Sequence, residues 1–188
     1  AVLFPGCRLD LQIFEARYLD MISRCMKQGT GFGVVTIGEG REVGEAPSRL
    51  AMVGCEASVR DWQQRPNGLL GIRVEGGRRF QVLSVEVQAD QLSVGEIEWF
   101  EDLPEQPLTY EHNDLAALLS VLAEHPMVAA LEMGGEPGGQ QDLANQLAYL
   151  LPFDTERKLE LLALPDAQMQ LARIQVLLEH LQGELGID

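Results

Sequence analysis

The sequence predicts an α+β fold: a strongly curved antiparallel β-sheet or pseudo-barrel with one crossing helix over residues 1–102, then a C-terminal α-helical bundle over residues 103–188. Two observations carry this. The period of the apolar residues switches from two to about 3.6 near residues 101–110, and periodicity is the main signal separating strands from helices. The first half is also a series of short β-branched runs broken by Gly and Pro, as a small coiled antiparallel sheet requires. With 188 residues and 46% apolar content, the chain is long enough to bury a sizeable core.

The first half is read run by run. Phe14, Tyr18, Ile22 and Cys25 fall at helical spacing, with Leu19 and Met26 widening the stripe and Gly29 as a C-cap. Gly33 to Gly38 is an apolar run bounded by glycines, which suits a buried strand. Ala51 to Arg60 is a mixed, β-branched strand. Pro66-Asn67-Gly68 is a turn signal between strands. Beyond it, Leu70, Ile72 and Val74 alternate with Gly71, Arg73 and Glu75, the pattern of a half-buried strand. Gly76-Gly77 reads as a tight turn into Arg79–Val87. There Leu83, Val85 and Val87 alternate while Phe80 and Val82 are out of phase, which predicts a bulge or strong coiling. Leu92–Phe100 is a further strand with Gly95 as its kink.

The second half opens with a linker-like stretch bracketed by Pro104 and Pro107. Leu115, Leu118, Leu119 and Leu122 mark one helix face, closed by His125-Pro126 because proline disfavours helix in the residue before it. Gly134 to Gly139 reads as a loop and the most mobile segment. Leu143, Leu147, Leu150 and Leu151 mark the next helix. Asp154 and Asp166 are placed to cap two more, the last with Leu171, Ile174, Leu178 and Leu181 as its buried stripe.

Charge narrows the function. Fourteen Lys and Arg against 29 Asp and Glu give −15, and Phe80 through Glu156 contains fifteen acids and no Lys or Arg. Nucleic acid and anionic lipid both need cationic side chains to replace their counterions, so neither is expected as a partner. Cys7, Cys25 and Cys55 are odd in number and lack a Cys-x-x-Cys spacing, so buried free thiols in a reducing, cytoplasmic setting are expected, without a disulfide framework or zinc site. No apolar run of membrane-spanning length occurs and no signal peptide is expected.

Common catalytic signatures are missing. Lys27 and Lys158 are not in a phosphate-loop context, and no Gly-x-Ser-x-Gly elbow occurs. Gly29, Gly31 and Gly33 precede a strand where a dinucleotide fingerprint follows one. His112, His125 and His180 are scattered and read as exposed polar residues. Glu96 and Glu98 share one face of a strand, where two carboxylates could bind a hard cation, but in so acidic a chain a solvated face is the expectation. No catalytic residue, metal ligand or cofactor is therefore predicted. Trp62, Trp99 and Phe100 are the candidates for contact with a hydrophobic partner, weighed against being half-buried sheet residues.

Three blocks carry a resemblance to a known family. Leu3-Phe4-Pro5-Gly6 precedes Ile13-Phe14-Glu15-Ala16-Arg17-Tyr18. Val53-Gly54-Cys55-Glu56-Ala57-Ser58-Val59 precedes Ile72-Arg73-Val74-Glu75-Gly76-Gly77-Arg78-Arg79-Phe80. The third runs from Leu143 through Leu151-Pro152-Phe153 to Lys158-Leu159-Glu160-Leu161-Leu162. In this order they resemble the N-terminal, substrate-recruiting domain of the ATP-dependent Lon protease, which also occurs as small stand-alone bacterial proteins. The resemblance implies architectural roles for the motif. Gly6 and Gly54 would allow turns or close backbone approach, and Gly76-Gly77 would form a hairpin turn. Glu15 would sit at the positive end of the helix, Arg17 would pair with a carboxylate of the sheet, and Tyr18 would cover it. The ATPase and Ser-Lys protease modules of Lon have no counterpart in these 188 residues, so neither ATP hydrolysis nor peptide cleavage is expected of them. The function implied is a non-enzymatic module binding exposed hydrophobic or unfolded polypeptide in an apolar groove, expected between sheet and helical half, with homo-oligomers also conceivable. The alternatives are a small-molecule-binding regulatory domain and, last, a hydrolase with an assembled Cys or carboxylate site.

Overall fold

A computed structural model describes residues 1–36, 52–133 and 135–184. The chain divides into two compact units, Leu3–Phe100 and Glu101–Asp188. The first is, among the described residues, a five-stranded antiparallel sheet: β1 (Arg8–Ile13), β2 (Phe32–Val35), β3 (Val53–Gln64), β4 (Leu70–Val87) and β5 (Ser93–Trp99). The path is β1-β4-β3-β2, with β5 also on β4.

β4 organises this unit. Its 18 residues would span about 60 Å if straight, too long for one partner. β3 follows one edge from Leu70 to Gln81. The other edge is shared, by β1 over Leu70–Glu75 and by β5 over Phe80–Val87. The change of partner falls at Gly76–Arg79. There Gly76 N–H donates to the Cys7 carbonyl (2.8 Å), Gly6 N–H donates to the Gly76 carbonyl (2.8 Å), and Phe100 N–H donates to the Arg79 carbonyl (3.0 Å). The predicted turn at Gly76-Gly77 is therefore corrected: both lie inside a continuous strand. The glycine at 76 serves close approach, because a Cβ there would land on the Phe4 carbonyl. Phe4-Pro5-Gly6-Cys7 is itself a turn, closed by Cys7 N–H to the Phe4 carbonyl (3.1 Å) with Gly6 at φ 76°. Pro and a positive-φ Gly at the two central positions are what such a turn demands.

The helix α1 (Ala16–Gln28) crosses the sheet and ends at Gly29, φ 66°, as expected. Ile22 joins Leu3, Cys55, Ala57, Ile72 and Val74 in the core, with Met21, Leu9, Leu11, Phe32 and Val34 packed around them. The predicted stripe began too early: Phe14 precedes the helix and is 69% exposed, and Met26 is exposed. β2 is half-buried and the last strand of the described sheet, not the buried strand expected over Gly33–Gly38; Ile37 and Gly38 lie outside the described residues. The bulge expected in the second half of β4 is present, as a register shift between Val82 and Ser84.

In the second unit, α2 (Asn113–Ala123), α3 (Pro126–Ala130), α4 (Gln140–Leu150), α5 (Thr155–Ala163) and α6 (Ala167–Glu184) follow in order. His125-Pro126 ends α2 but also starts α3, where proline fits the first turn and the His125 ring accepts from Met127 N–H (3.2 Å). His112 likewise accepts from Thr109 N–H (3.0 Å), so two of the histidines finish helix ends. Asp154 and Asp166 cap α5 and α6 through Arg157 N–H (2.8 Å) and Met169 N–H (2.9 Å). The buried side of α6 is Gln170, Leu171, Ile174 and Leu177; Leu178 and Leu181 are half-buried, a correction of one position. Burial of Gln170 satisfies it: its Nε2 donates to the Leu161 carbonyl (2.9 Å) and its Oε1 accepts from Gln141 (2.6 Å). Gly134 lies outside the described residues. The Pro104–Pro107 stretch is strapped to α4, since the Glu105 carboxylate accepts from Gln141 N–H (2.7 Å) and Asp142 N–H (3.1 Å) at the positive end of that helix.

Candidate functional site: the β4–β5 ribbon

Past the bulge, β4 and β5 form a ribbon that is two-stranded among the described residues. Directly opposed residues share a face, so the register assigns each side chain. Val82 opposes Ile97, Val85 opposes Gly95 and Val87 opposes Ser93 on one face; Ser84 opposes Glu96 and Glu86 opposes Val94 on the other. Alternation from Val85 puts Leu83, the extra residue of the bulge, with the first group. The bulge thus gathers Val82, Leu83, Val85 and Val87 on one face, although 82 and 83 are neighbours in sequence. That face is exposed: Leu83 59%, Val85 50% and Val87 58%. Gly95 offers no side chain to cover Val85, and a Cβ there would press to 3.2 Å from the Ser84 carbonyl. The opposite face carries Glu86, Glu96 and, further along, Glu98, all exposed.

The ribbon is anchored at both ends. At its base Phe80 opposes Trp99, edge to face at 6.0 Å and 89°. Phe80 is buried against backbone: Cβ atoms at Gly54 or Gly33 would come within 2.6 Å and 2.9 Å of its ring. Gly54 is therefore the seat of an aromatic ring. The Arg78 guanidinium lies 4.8 Å from the Trp99 ring centre and donates to the Phe100 carbonyl (3.3 Å), while Arg79 lies 4.5 Å from the Phe100 ring. At the tip, Gln91 N–H donates to the Gln88 carbonyl (2.9 Å) with Gln91 at φ 71°. Arg17 donates to the Gln91 carbonyl (2.8 Å), pairs with Glu15 (3.3 Å) and covers the half-buried Tyr18 ring (4.7 Å). The expectation that Arg17 would pair with a carboxylate of the sheet is corrected: its carboxylate is Glu15, two residues away, and its other contact is a carbonyl of the turn between β4 and β5. Glu15 stands at the N-cap position without a side-chain capping bond, its carboxylate turned to Arg17.

The three predicted contact residues are not brought together. Trp99 is 40% exposed at the base of the apolar face. Phe100 is half-buried beside Arg79. Trp62 is 55% exposed but opposes Ile72, eight positions along β4 from Phe80. The sequence reading missed Leu83, Val85 and Val87 as surface residues. Their alternation was legible, but alternation does not say whether the apolar face is covered.

Elsewhere the unit is chemically quiet. Cys7, Cys25 and Cys55 are buried. Burial pushes the Cys55 thiol up to about 12, beyond any nucleophilic role. Burial also lowers Arg79 from its usual value. No group of three or more His, Cys, Asp or Glu residues that could hold a metal ion occurs among the described residues. No helix among them is long and apolar enough to cross a membrane.

Residues 1–180 match the model of the ATP-dependent protease La (LON) substrate-binding domain. The chain is 30% identical to a Lon N-terminal domain protein from Xanthomonas campestris, with a TM-score of 0.72, covering 93% of this chain and 92% of that one. The N-terminal domain of the Mycobacterium avium complex Lon protease shares the fold at 17% identity and a TM-score of 0.56, over 95% of this chain and 91% of that one. The fold is thus that of a non-catalytic substrate-binding module. The chain belongs to the Lon substrate-binding domain family.

Proposed function

We propose that this chain is a non-enzymatic polypeptide-binding module that captures exposed hydrophobic or unfolded segments on the apolar face of the β4–β5 ribbon. The observation that carries this reading is the exposure of Leu83, Val85 and Val87 side by side on one face, with Trp99 at its base. Aliphatic side chains scattered over a surface need no explanation, whereas a contiguous apolar face marks an interaction site. An extended segment suits a ribbon, because residues at every second position of each can meet. Covering the exposed parts of the three aliphatic side chains contributes roughly 1 kcal/mol each. Association itself costs several kcal/mol. Capture is therefore weak per site and favours long, flexible clients over compact folded ones.

The test is fluorescence anisotropy with a reduced, alkylated and permanently unfolded polypeptide. The combined Leu83→Ser, Val85→Ser, Val87→Ser variant is expected to bind at least about tenfold more weakly, the loss of roughly 1.4 kcal/mol or more, with an unchanged circular dichroism spectrum. Equal binding by this variant and the unaltered chain would remove the ribbon as the site.

A further inference from the structure

We propose that the ribbon selects its clients by charge, taking apolar segments flanked by Lys or Arg and rejecting those flanked by Asp or Glu. The inference rests on the polypeptide-binding reading and adds the chemistry of the partner. The two faces of the ribbon differ in charge: one presents Val82, Leu83, Val85 and Val87, the other Glu86, Glu96 and Glu98 around the exposed Val94. From Phe80 to Trp99 the chain carries Glu86, Asp90, Glu96 and Glu98 and no Lys or Arg.

The cations at the two ends are already engaged. Arg17 at the tip is held by the Glu15 carboxylate and the Gln91 carbonyl. Arg78 at the base lies over Trp99 and donates to the Phe100 carbonyl. Both are thus held by other partners, while Glu86, Glu96 and Glu98 are spread along the other face, from Glu98 opposite Gln81 at the base to Glu86 toward the tip. A ribbon two strands wide among the described residues puts its acidic face within a side chain's length of its apolar face. The long stems of Lys and Arg can lie along apolar surface while their heads reach the carboxylates around the strand edge. An acidic flank meets like charge there, which weakens binding and lowers the rate of encounter.

The experiment uses the full chain and three labelled peptides with one alternating aliphatic core, flanked at both ends by two Lys, two Gln or two Glu. Anisotropy titrations are run at about 0.1 M and about 1 M salt, where the screening length falls from about 10 Å to about 3 Å. The Lys-flanked peptide is expected to bind about tenfold tighter than the Glu-flanked one at the lower salt, a few exposed ion pairs being sufficient. At the higher salt the three affinities converge. The combined Glu86→Gln, Glu96→Gln, Glu98→Gln variant, which leaves the apolar face intact, is expected to lose the preference and retain the Gln-flanked peptide. Equal binding of all three peptides to the unaltered chain overturns charge selection and leaves polypeptide capture standing. A preference that persists in the glutamine variant overturns the ribbon as its source. Binding of none of the three overturns both readings.

Discussion

Single residues in the sheet are explained by what approaches their backbone or buries their polar atoms. Gly76 accommodates the Phe4 carbonyl and Gly54 the ring of Phe80, so both are required for packing, not for a turn. Asp10 shows how an exposed residue can still be biased. The hydrogen bond from Arg73 (2.8 Å), with the charges of Arg73 and Arg65, holds its carboxyl below the usual carboxylate value despite partial desolvation. Cys55 has the reverse bias, with a sign that can be measured. Burial raises its thiol from 9.0 to about 12, so in the unfolded chain it ionises first. Its contribution to stability is thus complete below about pH 9 and is lost as pH climbs toward 12. Urea titrations of the native chain and of Cys55→Ala at pH 8 and pH 10.5 are expected to show a larger fall in stability for the native chain. A parallel fall in both would show that the thiol ionises as easily folded as unfolded.

At the scale of elements, the instructive pair is α1 and the β4–β5 tip. The Ile13–Tyr18 motif reads as a helix start, but its Arg17 reaches the Gln91 carbonyl, 74 residues away in sequence. The motif therefore helps to pin the far end of the ribbon, together with the buried Leu92 and the Gln88–Leu92 turn bonds, where β3, which pairs with β4 only as far as Gln81 among the described residues, no longer supports it. Arg17→Ala is expected to speed amide hydrogen exchange at least about fivefold within Gln88–Leu92, the loss of a charge-assisted hydrogen bond of roughly 1–2 kcal/mol. Exchange in β1 and the first half of β4 should be unchanged. Unaltered exchange at the tip would show that the ribbon is held by its own turn and the buried Leu92 without Arg17. Arg17→Lys keeps the charge without the forked geometry and is expected to rescue only part of the protection.

For the whole molecule, charge is the dominant property. Residues 100–188 hold sixteen acids and three bases, so most of the −15 is concentrated in the second half. Like charge at that density opposes compaction. The melting temperature is accordingly expected to rise as sodium chloride is raised from about 0.02 M to about 0.5 M, because the screening length contracts to a few ångström. A melting temperature that stays flat or falls over that range would mean that the attractive pairs, Arg8–Glu75, Arg73–Asp10 and Arg173–Glu160 among them, outweigh the repulsion.

Much of this architecture was legible in one dimension because it depends on local chemistry. The Pro66-Asn67-Gly68 turn, the Gly29 cap, the Asp154 and Asp166 caps and the bulge near Val82 each follow from what a few adjacent residues can do. The family was legible too, since its motif blocks keep their order. Tertiary structure alone decided three things. It ran β4 straight through Gly76-Gly77, because a second segment of chain arrives there to take up the hydrogen bonds. It separated Trp62 from Trp99 along one long strand. It also left Leu83, Val85 and Val87 bare, where the same alternation in Leu70, Ile72 and Val74 is covered by α1 and the core. An apolar pattern specifies which residues share a face; only the rest of the fold determines whether anything lies on top of it.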